Sequence, residues 1–147
     1  MKIFWALLYN ALFYPLIFFF AMVGSAFQDK LRASILGRFR SIKILKQYFN
    51  AYIPNIDIYW FHAASLGEFY QVKPVIEGLK EIRDGIKILV SFSSPSGYNN
   101  ATSNAIDLKV YIPFDFPWTI KKVLSIVRPK KIIFASYDIW PNMIWIA

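Results

Sequence analysis

The chain begins with a long apolar segment and only later alternates apolar and polar positions. From Ile3 to Phe27 there are 25 residues without a charged side chain. At about 1.5 Å per residue, a helix of this length covers a bilayer core of about 30 Å. Asn10 and Pro15 interrupt the segment, so a kinked or interfacial helix fits as well as a straight span. The pattern predicts a membrane-anchor helix over residues 1–28.

A cleaved signal peptide is the alternative for this segment, with Lys2 as its basic start and Gly24-Ser25-Ala26 as a small-residue cleavage site. The apolar stretch is longer than the usual signal-peptide core of about 7–15 residues. Basic residues that follow an apolar segment also tend to stay cytoplasmic. Six such residues follow here: Lys30, Arg32, Arg38, Arg40, Lys43 and Lys46. A retained anchor is therefore favoured over a signal peptide or a soluble core helix.

Residues 29–50 predict a basic amphipathic helix. Apolar side chains recur at the helical spacing of three and four, at Leu31, Ile35, Phe39, Ile42 and Leu45. The basic side chains fall largely elsewhere around the helix. Two interpretations remain open and are compatible: the six cations lie on anionic lipid headgroups, or the helix packs on the next domain with a solvated basic face.

From about residue 55 the pattern changes to short apolar runs that alternate with helical segments. Strands are predicted at 56–63, 86–92, 108–112 and 131–135, and helices at 67–83, 117–127 and from residue 140. A short helix is also expected after the turn at 93–100. Strands that alternate with helices predict parallel crossovers, and near-continuous apolar strands predict helices on both faces. Residues 51–147 are therefore expected to form a doubly wound, Rossmann-like α/β half-sheet. It lacks the Gly-x-Gly-x-x-Gly dinucleotide fingerprint.

Composition narrows the classes of function. The net charge of +8 together with 56% hydrophobic residues points to a membrane surface or another anionic partner, and no nucleic-acid partner is expected. The chain has no cysteine and one histidine, and no cluster of carboxylates has metal-ligand spacing. We therefore expect neither a metal centre nor a bound cofactor.

Ligands of open α/β sheets bind at the carboxyl ends of the strands. The segments expected to converge there are 64–68, 93–97, 113–115 and 136–142. In the first, Ser65 and Glu68 match the capping box, in which each side chain accepts from the other residue's backbone N–H. The same glutamate could act as a base, and Gly67 would let a ligand approach the backbone. Before it, His62 is interpreted as a satisfied strand-end residue rather than a catalyst.

The second segment, "SSPSG", offers hydroxyl and N–H groups that suit a phosphate, although ordinary turn and helix-cap chemistry is the more frequent explanation of such a turn. Asp115 and Asp138 each lie in an aromatic turn and, taken alone, are interpreted as turn or helix-cap residues. Pro141 suits the first turn of the helix that follows.

Taken in order, "HAASLGE", "SFSSPSG", "YIPFDFP" and "RPKKIIFASYDIWPN" behind an apolar anchor resemble the N-terminal half of 3-deoxy-D-manno-octulosonic acid (Kdo) transferases. The resemblance implies the acceptor-binding domain of a two-domain GT-B glycosyltransferase at the inner face of the cytoplasmic membrane. The acceptor would be a lipid A precursor, and CMP-Kdo the donor. Transfer would invert the anomeric centre and need no metal.

The resemblance also implies residue roles. Glu68 would be the general base, and Ser65, Gly67, Ser93, Ser94, Ser96, Gly97 and Asp138 would lie near the acceptor. The family motif Glu-Thr-Glu-Leu-Trp-Pro-Asn reads Ser136 to Asn142 here, so one glutamate is lost and Asp138 replaces the other. The family's donor domain is missing, so this chain alone is expected to be inactive. A degenerate membrane-associated fragment and the acceptor domain of another GT-B enzyme are the alternatives.

Overall fold

The structure is a computed structural model that describes residues 2–50 and 56–147. The predicted start of the sheet-forming unit at residue 51 lies outside the described residues. Three helical segments come first: α1 (Lys2–Leu8), a π-helical turn (Tyr9–Phe13) with α2 (Tyr14–Gly24), and α3 (Asp29–Phe49). The remaining elements are β1 (Ile58–Ala63), α4 (Leu66–Ile82), β2 (Lys87–Phe92), α5 (Pro95–Asn100), β3 (Leu108–Tyr111), α6 (Pro117–Val127), β4 (Lys131–Phe134) and α7 (Pro141–Ile146).

The four strands form one parallel sheet in the order β3-β2-β1-β4. Tyr59 of β1 pairs with Ile88 of β2 on one side and with Lys131 of β4 on the other. Successive side chains of a strand point to opposite faces, so each strand contributes to two cores. The sheet and its alternation with helices confirm the predicted α/β class, because every strand runs in the same direction and a helix connects each to the next.

The two faces of the sheet are covered by different helices. On one face, Trp60 and Leu89 pack with residues of α3, α6 and α7, among them Leu45 and Ile120. On the other face, a separate cluster joins β1 and β2 to α4, with Phe61, Val90, Phe69 and Ile76 among its members. Burial of both faces explains why the strands are apolar at almost every position.

The apolar N-terminal segment is one continuous helix that contains a π-helical turn at Tyr9–Phe13. Pro15 follows directly, and its ring nitrogen has no hydrogen to donate to the preceding turn. The π-helical turn accommodates this loss without ending the helix. Ile3–Gly24, 22 residues, is the one helix among the described residues that is long and apolar enough to cross a membrane.

Helix α3 packs largely through the predicted apolar face, and one residue of that face departs from the prediction. Ile35 and Leu45 are buried as expected, but Phe39 is 55% exposed. The stripe nearest the sheet carries the small residues Ser34, Gly37 and Ser41; a β-carbon on Gly37 would lie 2.1 Å from the Tyr111 ring. Small side chains let the helix lie close to the sheet, and this requirement does not appear in hydrophobic periodicity.

Candidate functional site

The predicted loops meet at the carboxyl edge of the sheet and are joined by hydrogen bonds. Ser94 N donates to Ala64 O over 3.0 Å, which links the loops after β1 and β2. The Ser93 hydroxyl donates to the Asp138 carboxylate over 2.6 Å, which links the loops after β2 and β4. Asn142 N donates to Asp115 over 2.9 Å and adds the fourth segment. The structure therefore brings all four segments together.

Glu68 lies in the first turn of α4 and is half-buried. Its backbone N–H donates to the Ser65 hydroxyl oxygen over 3.3 Å, as the capping box predicts. The reciprocal bond differs from the prediction, because the Glu68 carboxylate accepts from Ala64 N over 2.6 Å rather than from Ser65. The carboxylate is thereby tied to the end of β1, at the N-terminus of α4.

The two glycines of the predicted site differ in what packing demands. A β-carbon on Gly67 would meet only the Ser65 hydroxyl, at 3.9 Å, so packing does not require glycine there. Gly97 is buried, and a β-carbon on it would lie 2.5 Å from the Phe92 ring. Packing alone therefore accounts for Gly97, and its contact with an acceptor stays a prediction.

Residues 93–97, here called the serine loop, begin helix α5 and form one wall of a cavity. Ser94 caps the helix by accepting from Gly97 N over 3.3 Å, and its hydroxyl lies 3.1 Å from that of Ser96. Ser34 of α3 donates to the Ser93 carbonyl over 2.7 Å and holds the loop from the other side. Turn and cap chemistry is thus present, and the three serines of the loop also line the cavity.

His62, 1% exposed at the end of β1, has a polar partner at each ring nitrogen. Its Nδ1 lies 3.0 Å from both the carbonyl and the hydroxyl oxygen of Ser91, and that hydroxyl accepts from Trp60 Nε1. Its Nε2 lies 2.9 Å from Asp138. The interpretation of His62 as a satisfied strand-end residue agrees with these contacts. The bond between His62 and Asp138 was not predicted, because the two residues are 76 positions apart in the chain.

Asp138 is therefore a bound carboxylate rather than an isolated turn residue. Burial acts to raise its pKa, but the hydrogen bonds from His62 and Ser93 outweigh burial and hold the pKa below its ordinary value. One oxygen of Asp138, Oδ2, thus accepts from both side chains, and the lowered pKa keeps the carboxylate charged near neutral pH.

A cavity of about 670 Å³ lies between the N-terminal helix, α3 and the serine loop. Apolar side chains of the two helices form most of its wall, including Ile17, Phe18, Leu31 and Ile35. The serine loop and the basic residues Lys30 and Arg38 supply its polar end. The cavity thus offers an apolar trough with a cationic and hydroxyl-rich end.

Arg38 lies in this cavity and not on the exposed basic face where it was predicted. Its guanidinium carbon is 4.7 Å from the centre of the Trp140 ring and 5.9 Å from that of Phe114. Burial lowers the pKa of Arg38, and Tyr14, Asp138 and Asp115 partly oppose that effect. Within the described ranges no carboxylate lies within 4.0 Å of the guanidinium. The other five cations of the predicted group are exposed: Lys30, Arg32, Arg40, Lys43 and Lys46.

Asp115 joins the loop after β3 to the N-terminal helix and to α7. It caps α7 by accepting from Asn142 N and from Met143 N, over 2.9 and 3.1 Å. It also accepts from the Tyr9 hydroxyl over 2.9 Å. Burial raises the pKa of Asp115 to about 6, against these hydrogen bonds. The cap was expected from the sequence, but the helix it serves and its bond to Tyr9 were not.

No group of three His, Cys, Asp or Glu side chains is placed to hold a metal ion in residues 2–50 and 56–147.

The comparison that decides the family is a match to the model described as 3-deoxy-D-manno-octulosonic-acid transferase (kdotransferase), over residues 33–147. The chain belongs to the Kdo transferase family. The match begins within α3 and includes all the loops of the site.

Individual Kdo transferases give the same result. A probable mitochondrial 3-deoxy-D-manno-octulosonic acid transferase of Arabidopsis thaliana is 32% identical over 97 residues, 64% of this chain and 22% of the relative. The enzyme of Haemophilus influenzae is 29% identical over 99 residues, 66% of this chain and 23% of its own. The enzyme of Aquifex aeolicus is 32% identical over 87 residues, which are 58% of this chain and 24% of that enzyme. The chain thus spans about a quarter of the length of these relatives.

Proposed function

We propose that the chain is the acceptor-binding part of a Kdo transferase that transfers Kdo from CMP-Kdo to a lipid A precursor. In this proposal a C-terminal domain of the GT-B enzyme binds CMP-Kdo, and the present chain turns over no substrate by itself. Family membership supports the proposal, and so does a cavity that has hydroxyls and a cationic end beside an apolar trough.

The geometry of Glu68 carries the proposed mechanism. One oxygen is held by Ala64 N at the carboxyl edge of the sheet, where ligands of open α/β sheets bind. In an inverting transfer, the acceptor hydroxyl oxygen forms a bond to the anomeric carbon while the bond to CMP breaks. Glu68 takes the hydroxyl proton, and the leaving electron pair stays on the CMP phosphate.

Recognition of the acceptor is assigned to the cavity. Its apolar wall suits acyl chains, and Arg38 is a cation with no carboxylate partner among the described residues. A guanidinium pairs well with phosphate because it donates several parallel hydrogen bonds. We assign Arg38 and the hydroxyls of Ser93, Ser94 and Ser96 to the phosphorylated sugar end of the acceptor.

The proposed place of action is the cytoplasmic face of the inner membrane. The apolar helix Ile3–Gly24 and the exposed cations of α3 support membrane association, since anionic headgroups attract basic residues beside an apolar segment.

The test is Glu68→Gln in the enzyme completed by its donor domain, with radiolabelled Kdo transfer from CMP-Kdo to tetraacyl lipid A precursor as the readout. Glutamine still accepts from Ala64 N, so the fold is preserved while the base is lost. We expect a decrease in kcat of about 10²- to 10⁴-fold. The control Glu81→Gln changes an exposed carboxylate of the same helix. Equal activity of the two variants would reduce Glu68 to a helix cap.

A further inference from the structure

The apolar N-terminal helix has two unlike sides. One side carries Tyr9, Asn10, Tyr14 and Phe18, which contact the rest of the protein. The other side is apolar and between 47% and 66% exposed, at Phe4, Leu7, Leu12, Leu16, Phe19 and Phe20. A helix that is bound along one side and exposed along the other is not a free membrane anchor.

The docked side is held by polar bonds at the middle of the helix. The Tyr9 hydroxyl donates to Asp115, and Asp115 N donates to the Tyr14 hydroxyl over 2.6 Å. The side-chain amides of Asn10 and Asn142 donate to each other over 3.0 and 2.7 Å. Tyr14 is 3% exposed. These contacts involve side chains that an ordinary apolar span would not need.

Ring contacts extend the docking along the helix. Tyr14 lies 4.8 Å from Phe116, and Phe18 lies 5.1 Å from Phe114, both measured between ring centres. Nearer the N-terminus, Tyr9 contacts Trp145 of α7 at 5.7 Å. The helix is therefore bound over about three turns by the loop after β3 and by α7.

The position of these contacts is incompatible with a transmembrane orientation. The helix is about 33 Å long, and Tyr14 lies near its centre. If the helix crossed a bilayer core of about 30 Å, Tyr14 would be near the midplane. The loop of Asp115 and the adjoining sheet would then lie in hydrocarbon, where charged side chains and exposed backbone groups are not tolerated. The helix can span or stay docked, but not both.

We propose that the helix lies in the plane of the bilayer, with its exposed side among the acyl chains of one leaflet and its docked side on the domain. The proposal rests on the membrane association given under Proposed function and adds the orientation. An interfacial helix places one side in the acyl region and keeps its other side out of it. In this protein the domain, rather than a charged face of the helix, covers that other side. The neighbouring helix α3 also carries exposed apolar side chains, Leu36 and Phe39, and several exposed cations.

Anionic lipid is the occupant that the surface fits, because basic α3 follows the apolar helix directly along the chain and the net charge is +8. This orientation places the cavity between the helix and α3 at the level of the headgroups. An amphiphilic acceptor then enters it sideways from the leaflet, without leaving the membrane.

The chain has no cysteine, so single cysteines report the orientation without background. Lys2→Cys and Gln28→Cys place one thiol in each polar flank of the helix. Each variant is expressed in bacterial cells, and membrane-impermeant maleimide is added to intact spheroplasts and to inverted inner-membrane vesicles. We expect both cysteines to react in inverted vesicles and neither to react in spheroplasts until detergent is added.

The outcomes separate this proposal from the proposed function. Reaction of Lys2→Cys in spheroplasts and of Gln28→Cys only in inverted vesicles would overturn the flat orientation and leave membrane association standing. Recovery of the chain in the soluble fraction would overturn both. A further variant, Phe20→Cys, tests the exposed side: oxidation to a disulfide-linked dimer in the membrane would show a second copy there and overturn lipid as the occupant.

Discussion

Replacing Arg38 with glutamine tests whether the cavity binds an anion. Glutamine keeps a polar, though shorter, side chain and removes the positive charge and the forked set of donors. Arg38 faces the cavity over the Trp140 ring, so the change alters the cavity directly. Arg40, two residues later in the same helix and exposed, provides the matched control Arg40→Gln.

The expected magnitude follows from the bonds that the guanidinium would form with a phosphate. A hydrogen bond to a charged group contributes about 1.5–3 kcal/mol. Loss of one such bond weakens binding about 10- to 150-fold, since 1.4 kcal/mol corresponds to a factor of ten. Protein stability should not fall, because burial lowers the pKa of Arg38 and therefore disfavours its charge in the folded state. Weaker binding with unchanged or higher Tm is the expected signature.

Isothermal titration calorimetry with octyl phosphate measures this effect on the 147-residue chain in nonionic detergent. Octanol and inorganic phosphate serve as separate ligands, so that the contributions of the apolar tail and the anion are distinguished. We expect tight binding only for octyl phosphate, and its loss in Arg38→Gln but not in Arg40→Gln. Equal weakening in both variants would refute the reasoning, because it would assign the effect to general surface charge.

The remaining predictions concern packing, pH and the histidine pair. In urea unfolding, Gly37→Ala should destabilise the protein by about 1–3 kcal/mol, because the new β-carbon would overlap the Tyr111 ring of β3. In contrast, Gly78→Ala should stabilise the protein by up to about 1 kcal/mol, because a β-carbon there has no neighbouring atom within 4 Å. Burial raises the pKa of Asp115 from 3.8 to about 6. The folded state therefore binds this proton more tightly than the unfolded state does. As the pH rises from about 4 to about 6, the free energy of unfolding should fall by about 3 kcal/mol through Asp115, and above pH 6 this contribution should stay constant. The variant Asp115→Asn should lack this pH dependence. Asp138→Asn should shift the ¹⁵N resonance of Nε2 in the chain's one histidine, His62, in an NMR spectrum; an unchanged resonance would argue against their hydrogen bond.

Local patterns predicted the secondary structure and part of the site. The apolar runs at β1 and β2 predicted buried parallel strands. Successive residues of a strand point to opposite faces, so a short continuous apolar run is enough to indicate that both faces are buried. The Ser65–Glu68 cap was predictable because it depends on residues three apart. Its second bond was misassigned by one residue, since the exact partner depends on how the chain leaves β1.

Long-range contacts decided the features that local patterns left open. Arg38 was placed among the surface cations by helical periodicity, yet its side chain lines the cavity, next to Gly37, which lies against the Tyr111 ring. The bond between His62 and Asp138 joins residues 76 positions apart, and no spacing rule connects them. Their pairing exists only because β1 and β4 are neighbours in the sheet.

The sequence by itself determined an apolar helix, a parallel α/β unit and the order of loops that marks the family, because each depends on residues close together in the chain. Only the tertiary structure decided that the helix is docked through Tyr9, Asn10 and Tyr14. The middle of the expected anchor helix therefore contacts the α/β domain. The physical reason is that hydropathy records which side chains avoid water. It does not record whether lipid or protein receives them.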